Sequence, residues 1–186
     1  HSGTFEGVRV NEMLSKIFFS FLLFTAISYA TVKIGQPAPD FAVKTQEGKP
    51  FSLQDRKGKG WTVLFFYPKA GTPGCTKEAC AFRDSIKEIR ALNAEVYGLS
   101  ADSVEDQAKF HKEHKLLFPL LADPDLKVIN AFDVKMLGVN LSKRWTYIID
   151  PDLVVRSINE KVDPVMDPSN VVAELKKLQA KKPANP

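Results

Sequence analysis

The stretch WTVLFFYPKAGTPGCTKEAC, residues 61–80, runs from an apolar segment through a turn rich in proline and glycine to the chain's two cysteines, Cys75 and Cys80. Residues 61–67 are β-branched, aromatic or aliphatic, which predicts a strand buried on both faces of a sheet. Pro68 closes it, because proline cannot donate to a ladder. Thr72-Pro73-Gly74-Cys75 then reads as a helix start, with a hydroxyl in the capping position and proline at the first helical position. Beyond it Ala79, Phe82, Ile86 and Ile89 step by three and four, the spacing of a helix with one buried face. Strand, turn and helix in this order open an α/β unit.

The flanking sequence extends the pattern. EVYGLSA (95–101) reads as a second central strand, parallel to the first because a helix joins them. Asp102 or Ser103 caps a helix over VEDQAKFHKEHK (104–115). FPLLADPDLKVINAFDV (118–134) gives a short strand, a turn at Asp123-Pro124 and a short helix. RWTYIID (144–150) and LVVRSI (153–158) form a hairpin around Pro151-Asp152. PSNVVAELKKLQ (168–179) is a final helix with Ser169 or Asn170 near its start. On the N-terminal side, GQPAPDFAV (35–43) leads into an extended stretch, and GKPFSLQDRKGKGW (48–61) carries turn signals and polar residues. The order predicts an α/β fold of thioredoxin-like outline, a mixed central sheet with helices on both faces.

Bulk composition fits one such domain: 186 residues, 44% hydrophobic and 26% charged. The net charge of +4 is dispersed, and the largest concentration, Lys176, Lys177, Lys181 and Lys182, lies at the C-terminal end. Nucleic-acid binding would need basic residues clustered on one face, so no nucleic-acid partner is expected. Met13 begins MLSKIFFSFLLFTAISYA, with Lys16 as a positive start, an apolar run from Ile17 to Ile27, and small residues at Ser28 and Ala30. This is the pattern of a secretory signal peptide. The run is shorter than the about 20 apolar residues of a spanning helix, so stable membrane insertion is not expected. The chain is therefore divided into added or upstream residues 1–12, a signal peptide 13–30 and a domain 31–186. Export, most simply to a bacterial periplasm, would place the two cysteines where they can pair.

The cysteine spacing excludes several uses. It is not the C-x-x-C of general thiol–disulfide oxidoreductases or of half a zinc site. A structural disulfide across so short a loop would stabilise the fold least. His111 and His114 in HKEH read as a solvated helix face rather than metal ligands. Cys75 falls in the first turn of the helix, where free N–H groups and the dipole favour an anion, and the thiolate is the reactive form of cysteine. Moving a thiol from about 8.5 to about 6 requires roughly 3.4 kcal/mol. A helix terminus supplies about 0.3–1 kcal/mol and at most about 2, so a cation is needed as well. Arg144, heading the RWTYIID strand, is the preferred candidate. Arg83 is the runner-up, lying about 12 Å further along the helix. Glu78 has two readings, pocket wall or surface, and Trp61, Phe65 and Phe66 read as core.

With these residues in view, YPKAGTPGCTKEACAFRD resembles the active-site segment of the peroxiredoxins, P-x-x-x-T-x-x-C, here Pro68, Thr72 and Cys75. A second cysteine five positions on is similar to the bacterioferritin-comigratory, or Q-type, subgroup. The resemblance covers roughly residues 33–180 and includes GQPAPDF, GLSADS, FPLLAD and RWTYIID. It implies an antioxidant thiol peroxidase acting on hydrogen peroxide and organic hydroperoxides, with Cys75 as the peroxidatic and Cys80 as the resolving cysteine. It also implies that Thr72 hydrogen-bonds the thiolate or peroxide, in competition with its capping role, that Arg144 holds the thiolate and the O–O bond, and that Pro68 shields the pocket. Ala70-Gly71 replaces a more polar pair, and Tyr147 a commoner Phe.

The thiols are expected to carry all the redox chemistry, since no nicotinamide, flavin, haem or metal signature is present. A thioredoxin-like or periplasmic dithiol is the expected reductant, and the subgroup resemblance leans toward a monomer. The alternative is a non-catalytic, chaperone-like thioredoxin-fold binding protein with a passive disulfide.

Overall fold

The computed structural model describes residues 32–181 together with Gly3. The leader expected at 13–30 lies outside the described residues, as do residues 1–12 apart from Gly3. The strands are β1 (Ala42–Thr45), β2 (Pro50–Ser52), β3 (Trp61–Phe66), β4 (Ala94–Ser100), β5 (Leu120–Ala122), β6 (Trp145–Ile149) and β7 (Val155–Asn159). The helices are α1 (Pro73–Ala91), α2 (Val104–Glu113), α3 (Lys127–Ala131) and α4 (Asp167–Ala180), with a 3₁₀ turn at Leu53–Arg56. The strands form one mixed sheet in the order β2-β1-β5-β4-β3-β6-β7. β3 pairs in parallel with β4, which pairs in parallel with β5, whereas β6 is antiparallel to both β3 and β7.

The apolar run at 61–67 dictates the centre of this arrangement. All six residues of β3 are buried, and their alternation divides the core in two. Trp61, Val63, Phe65 and Tyr67 face a cluster with Ala79, Phe82, Ile86 and Ile89 of α1, Phe110 of α2 and Val171, Val172 and Leu175 of α4. The Phe65 and Phe82 rings stack there at 4.6 Å. Leu64 and Phe66 face the other cluster, with Val128 and Ile129 of α3 and with Phe132 and Tyr147. The sheet is thus covered on both faces, the second by the short α3 and the 3₁₀ turn.

Two local readings need correction. The stretch read as turn signals and polar residues, with no strand, contains β2, which forms an antiparallel hairpin with β1, and β1 in turn pairs antiparallel with β5. These strands are short and half exposed, so they carry no apolar alternation to read. The β6–β7 turn is wider than Pro151-Asp152: Leu153 takes a left-handed φ of 64°, and Asp150 accepts bonds from the backbone N–H groups of Asp152 and Val154. The last helix begins at Asp167, with Ser169 and Asn170 in its first turn as expected, and Asp163 accepts from the N–H groups of Val165 and Met166 just ahead of it. Among the described residues no helix is long and apolar enough to cross a membrane.

Candidate active site

β3 delivers the chain at Tyr67 to a tight loop, Pro68–Thr72, from which α1 departs. Gly71 takes φ +75°, a conformation open to glycine and costly for other residues, and so permits the turn. Thr72 is in the extended conformation of an N-cap, with Pro73 following at the helix start. Its hydroxyl makes no capping bond, however, and donates to the Lys69 carbonyl at 2.8 Å. The expected side-chain cap is therefore replaced by a bond that closes the loop on itself. Pro68 and Thr72 are partly exposed at the lip, while Cys75 is buried to 1% exposure behind them.

Arg144, immediately ahead of β6, meets Cys75 at the start of α1. Its Nη2 lies 3.4 Å from the Cys75 sulfur, and its Nη1 donates to Glu78 Oε2 in an ion pair. A Cβ at position 74 would stand 3.1 Å from Nη2, so Gly74 gives the guanidinium room to approach. A helix N-terminus and a guanidinium both stabilise negative charge on an adjacent atom, and here they converge on one sulfur. Arg83 is committed elsewhere: it pairs with Asp84 at 2.8 Å and donates to the His114 carbonyl at 2.8 Å.

Glu78 lies on the buried side of α1 and has no surface exposure. Burial pushes its carboxyl up to about 8, against the opposing pull of Arg144. Its second oxygen, Oε1, is buried without a hydrogen-bond partner among the described residues. Position i+3 from Cys75 was the available signal, since residues three apart share a helix face. Asp167 carried no signal in the sequence. It is buried at the start of α4, accepts from Thr146 at 2.6 Å and Asn159 at 3.1 Å, and burial raises its carboxyl as well.

Cys80 is half-buried on the same helix, and both cysteines are free thiols. Five residues of α-helix advance about 7.5 Å and turn about 500°, which puts the two Cα atoms about 8.7 Å apart and the side chains about 140° apart. The structure does not place the two sulfurs together. Nor does it leave His111 and His114 on a solvated face: both are half-buried, and the His114 ring packs edge-on to Phe110 at 5.1 Å. Burial lowers the His111 imidazole below its usual value.

Comparison with known proteins agrees with this geometry. Residues 34–158 match the AhpC/TSA family. The chain is 45% identical over 128 residues to peroxiredoxin Bcp of Bacillus subtilis, covering 66% of this chain and 81% of that protein. It is 45% identical over 131 residues to the chloroplastic peroxiredoxin Q of Sedum lineare, covering 70% of each. Among solved structures, peroxidoxin BcpB of Mycobacterium tuberculosis superposes with a TM-score of 0.74 at 38% identity, over 79% of this chain and 98% of that one. The bacterioferritin comigratory protein of Xanthomonas campestris does so with a TM-score of 0.70 at 32% identity, over 74% and 91%. With a thioredoxin-like sheet, a buried cysteine in the first turn of a helix and an arginine against its sulfur, the chain belongs to the AhpC/TSA family, as a thiol peroxidase of the Bcp and peroxiredoxin Q kind.

Proposed function

We propose that Cys75 is the peroxidatic cysteine and that Cys80 resolves it. The observation that carries this is the 3.4 Å approach of Arg144 to the Cys75 sulfur at the start of α1. The Cys75 thiolate attacks the near oxygen of a hydroperoxide and the O–O bond breaks. Sulfur takes that oxygen as a sulfenic acid, and the other oxygen leaves with the electron pair and gains a proton. The Arg144 guanidinium stabilises charge on both sulfur and the departing oxygen. Pro68 and Thr72 shape the mouth of the pocket, with the Thr72 hydroxyl able to turn from Lys69 to a bound peroxide.

The Cys80 thiol then displaces water from the sulfenic acid and forms a disulfide, which a thioredoxin-like dithiol reduces. A disulfide does not normally bridge Cα atoms more than about 7 Å apart, so the first turns of α1 must unwind in this step. Substrates include hydrogen peroxide and organic hydroperoxides; the Xanthomonas campestris relative is described by its alkyl peroxide reduction activity. Membership of a peroxidase family argues against the passive binding role considered from the sequence. The N-terminal pattern supports export, with residues 31–186 as the mature domain and a periplasmic dithiol as donor.

Sulfenic-acid trapping on single variants tests the assignment. Cys75→Ser should abolish turnover, whereas Cys80→Ser should still form a sulfenic acid at Cys75 and stop there. Rapid sulfenic-acid formation at Cys80 in the Cys75→Ser protein would reverse the two roles.

A further inference from the structure

Of the two residues that the sequence offers as caps for α2, only Ser103 takes the position, its hydroxyl accepting from the Asp106 N–H at 3.1 Å. Asp102 turns the other way, toward the active-site loop. Its Oδ2 accepts from the Ala70 N–H at 2.8 Å and from the Ser100 hydroxyl at 2.6 Å. The Ser100 oxygen in turn accepts from Gln107 Nε2 at 2.8 Å, and Gln107 Oε1 accepts from the Tyr67 hydroxyl. Gln107 Nε2 also donates to the Leu121 carbonyl at 3.1 Å, which fixes the amide on β5. Tyr67, Ser100 and Gln107 have no surface exposure.

This chain of bonds starts at Ala70 and ends at Tyr67, the two residues that bracket Pro68 and Lys69. It therefore closes a ring around the lip of the thiol pocket from outside. Within the loop itself, the Thr72 hydroxyl and N–H bond back to the Lys69 carbonyl, and the Thr72 carbonyl accepts from the Thr76 N–H of α1. Beyond the β3 ladder, the Asp102 carboxylate is the side chain that ties this loop to the rest of the described fold.

We propose that Asp102 is a positioning residue for peroxide, acting through the Ala70 N–H and held by Ser100, Gln107 and Tyr67. The inference rests on Cys75 being the peroxidatic residue. A displacement at oxygen requires the sulfur, the near oxygen and the leaving oxygen to lie nearly in line, and a loop free to shift would relax that alignment. A reaction that needs only access to the thiol has no such requirement.

The test compares two reactions at Cys75 in the whole chain: sulfenic-acid formation with hydrogen peroxide and alkylation by iodoacetamide. In Asp102→Ala the peroxide reaction should fall at least tenfold while alkylation is no slower than in the wild type. Asp102→Asn keeps an oxygen that can accept the Ala70 N–H, and should restore the peroxide rate to within about threefold. Ser100→Ala removes one methylene-borne hydroxyl and leaves the packing nearly intact; it should slow the peroxide reaction by about threefold or more, again without slowing alkylation. It decides the matter should Asp102→Ala fail to fold. Ser103→Ala, which removes only the α2 cap, should leave both rates unchanged.

A peroxide rate within twofold of wild type in both Asp102→Ala and Ser100→Ala overturns the proposal. Equal slowing of both reactions also overturns it, since that would indicate general damage to the thiol's environment. Failure of the underlying assignment looks different: the wild-type protein would then form no sulfenic acid at Cys75.

Discussion

The Arg144 guanidinium lies 3.4 Å from the Cys75 sulfur and pairs at the same time with the buried Glu78 carboxylate. These side chains come from two elements, the start of β6 and the first turns of α1. Their meeting decides which of the chain's arginines can assist the thiol.

Arg144→Ala should slow sulfenic-acid formation at Cys75 by roughly a hundredfold, the scale of losing one positioned donor to developing charge. Arg83→Ala should change it less than about threefold, because Arg83 is bound to Asp84 and the His114 carbonyl. Above about pH 8, where Glu78 ionises, removing Arg144 also strands a buried carboxylate, at a cost of about 3–5 kcal/mol in similar cases. The double variant Arg144→Ala/Glu78→Gln separates the two effects. It should recover stability and remain slow; recovery of the rate would show that Arg144 acts only by holding the fold.

Glu78 should make stability fall as pH rises. Its carboxyl is raised from the ordinary 4.5 to about 8 in the folded protein, first by burial. Between those values the folded state keeps a proton that the unfolded state has lost, so folding takes up a proton and rising pH opposes it. The stability contribution is fully present below about pH 4.5 and is lost as pH passes through about 8. The loss is on the order of a few kcal/mol. Denaturant titrations of wild type and Glu78→Gln at pH 5 and pH 8.5 check this. The wild type should lose more stability than the variant, and parallel losses would rule out Glu78 as the source.

Formation of the Cys75–Cys80 disulfide should melt the start of α1. Amide hydrogen exchange across residues 71–84 should lose protection on oxidation, while β3 and β4 remain as protected as before. Gly71 and Gly74 are placed to absorb the change in backbone angles. Identical exchange in both redox states, with the disulfide confirmed by mass, would refute the unwinding step.

The protein recovered from its native host should begin near Thr31, as the charged start, apolar run and small residues between Met13 and Ala30 imply. N-terminal sequencing reads this directly, and recovery of a cytoplasmic chain still carrying Met13 would contradict export.

Much of the fold was legible because β3 and α1 are governed by local rules. The unbroken run at 61–67 admits a strand buried on both faces, and Thr72-Pro73-Gly74 followed by apolar steps of three and four admits a helix beginning at Pro73. The parallel pairing of β3 and β4 follows from the helix between them. Cys75 was likewise singled out by its place at a helix start, which is a local argument, whereas Arg144 was named from the expected fold outline and the role of Cys80 from the peroxiredoxin resemblance.

What the sequence left open depended on contacts between distant residues. β1 falls where an extended stretch was expected, but β2 is short and half exposed, so only its pairing with β1 makes it a strand. Glu78 had two readings until the helix was packed, since a carboxylate at i+3 from Cys75 faces water or protein according to what covers it. Asp102 is an ordinary capping residue in its local sequence, and it became a strut for the Ala70 N–H only when two neighbouring parallel strands brought their loops together. Periodicity and capping are set by neighbours a few residues away and can be read along the chain. The partner of a single polar side chain is set by which segments the sheet places side by side, and that is decided in three dimensions.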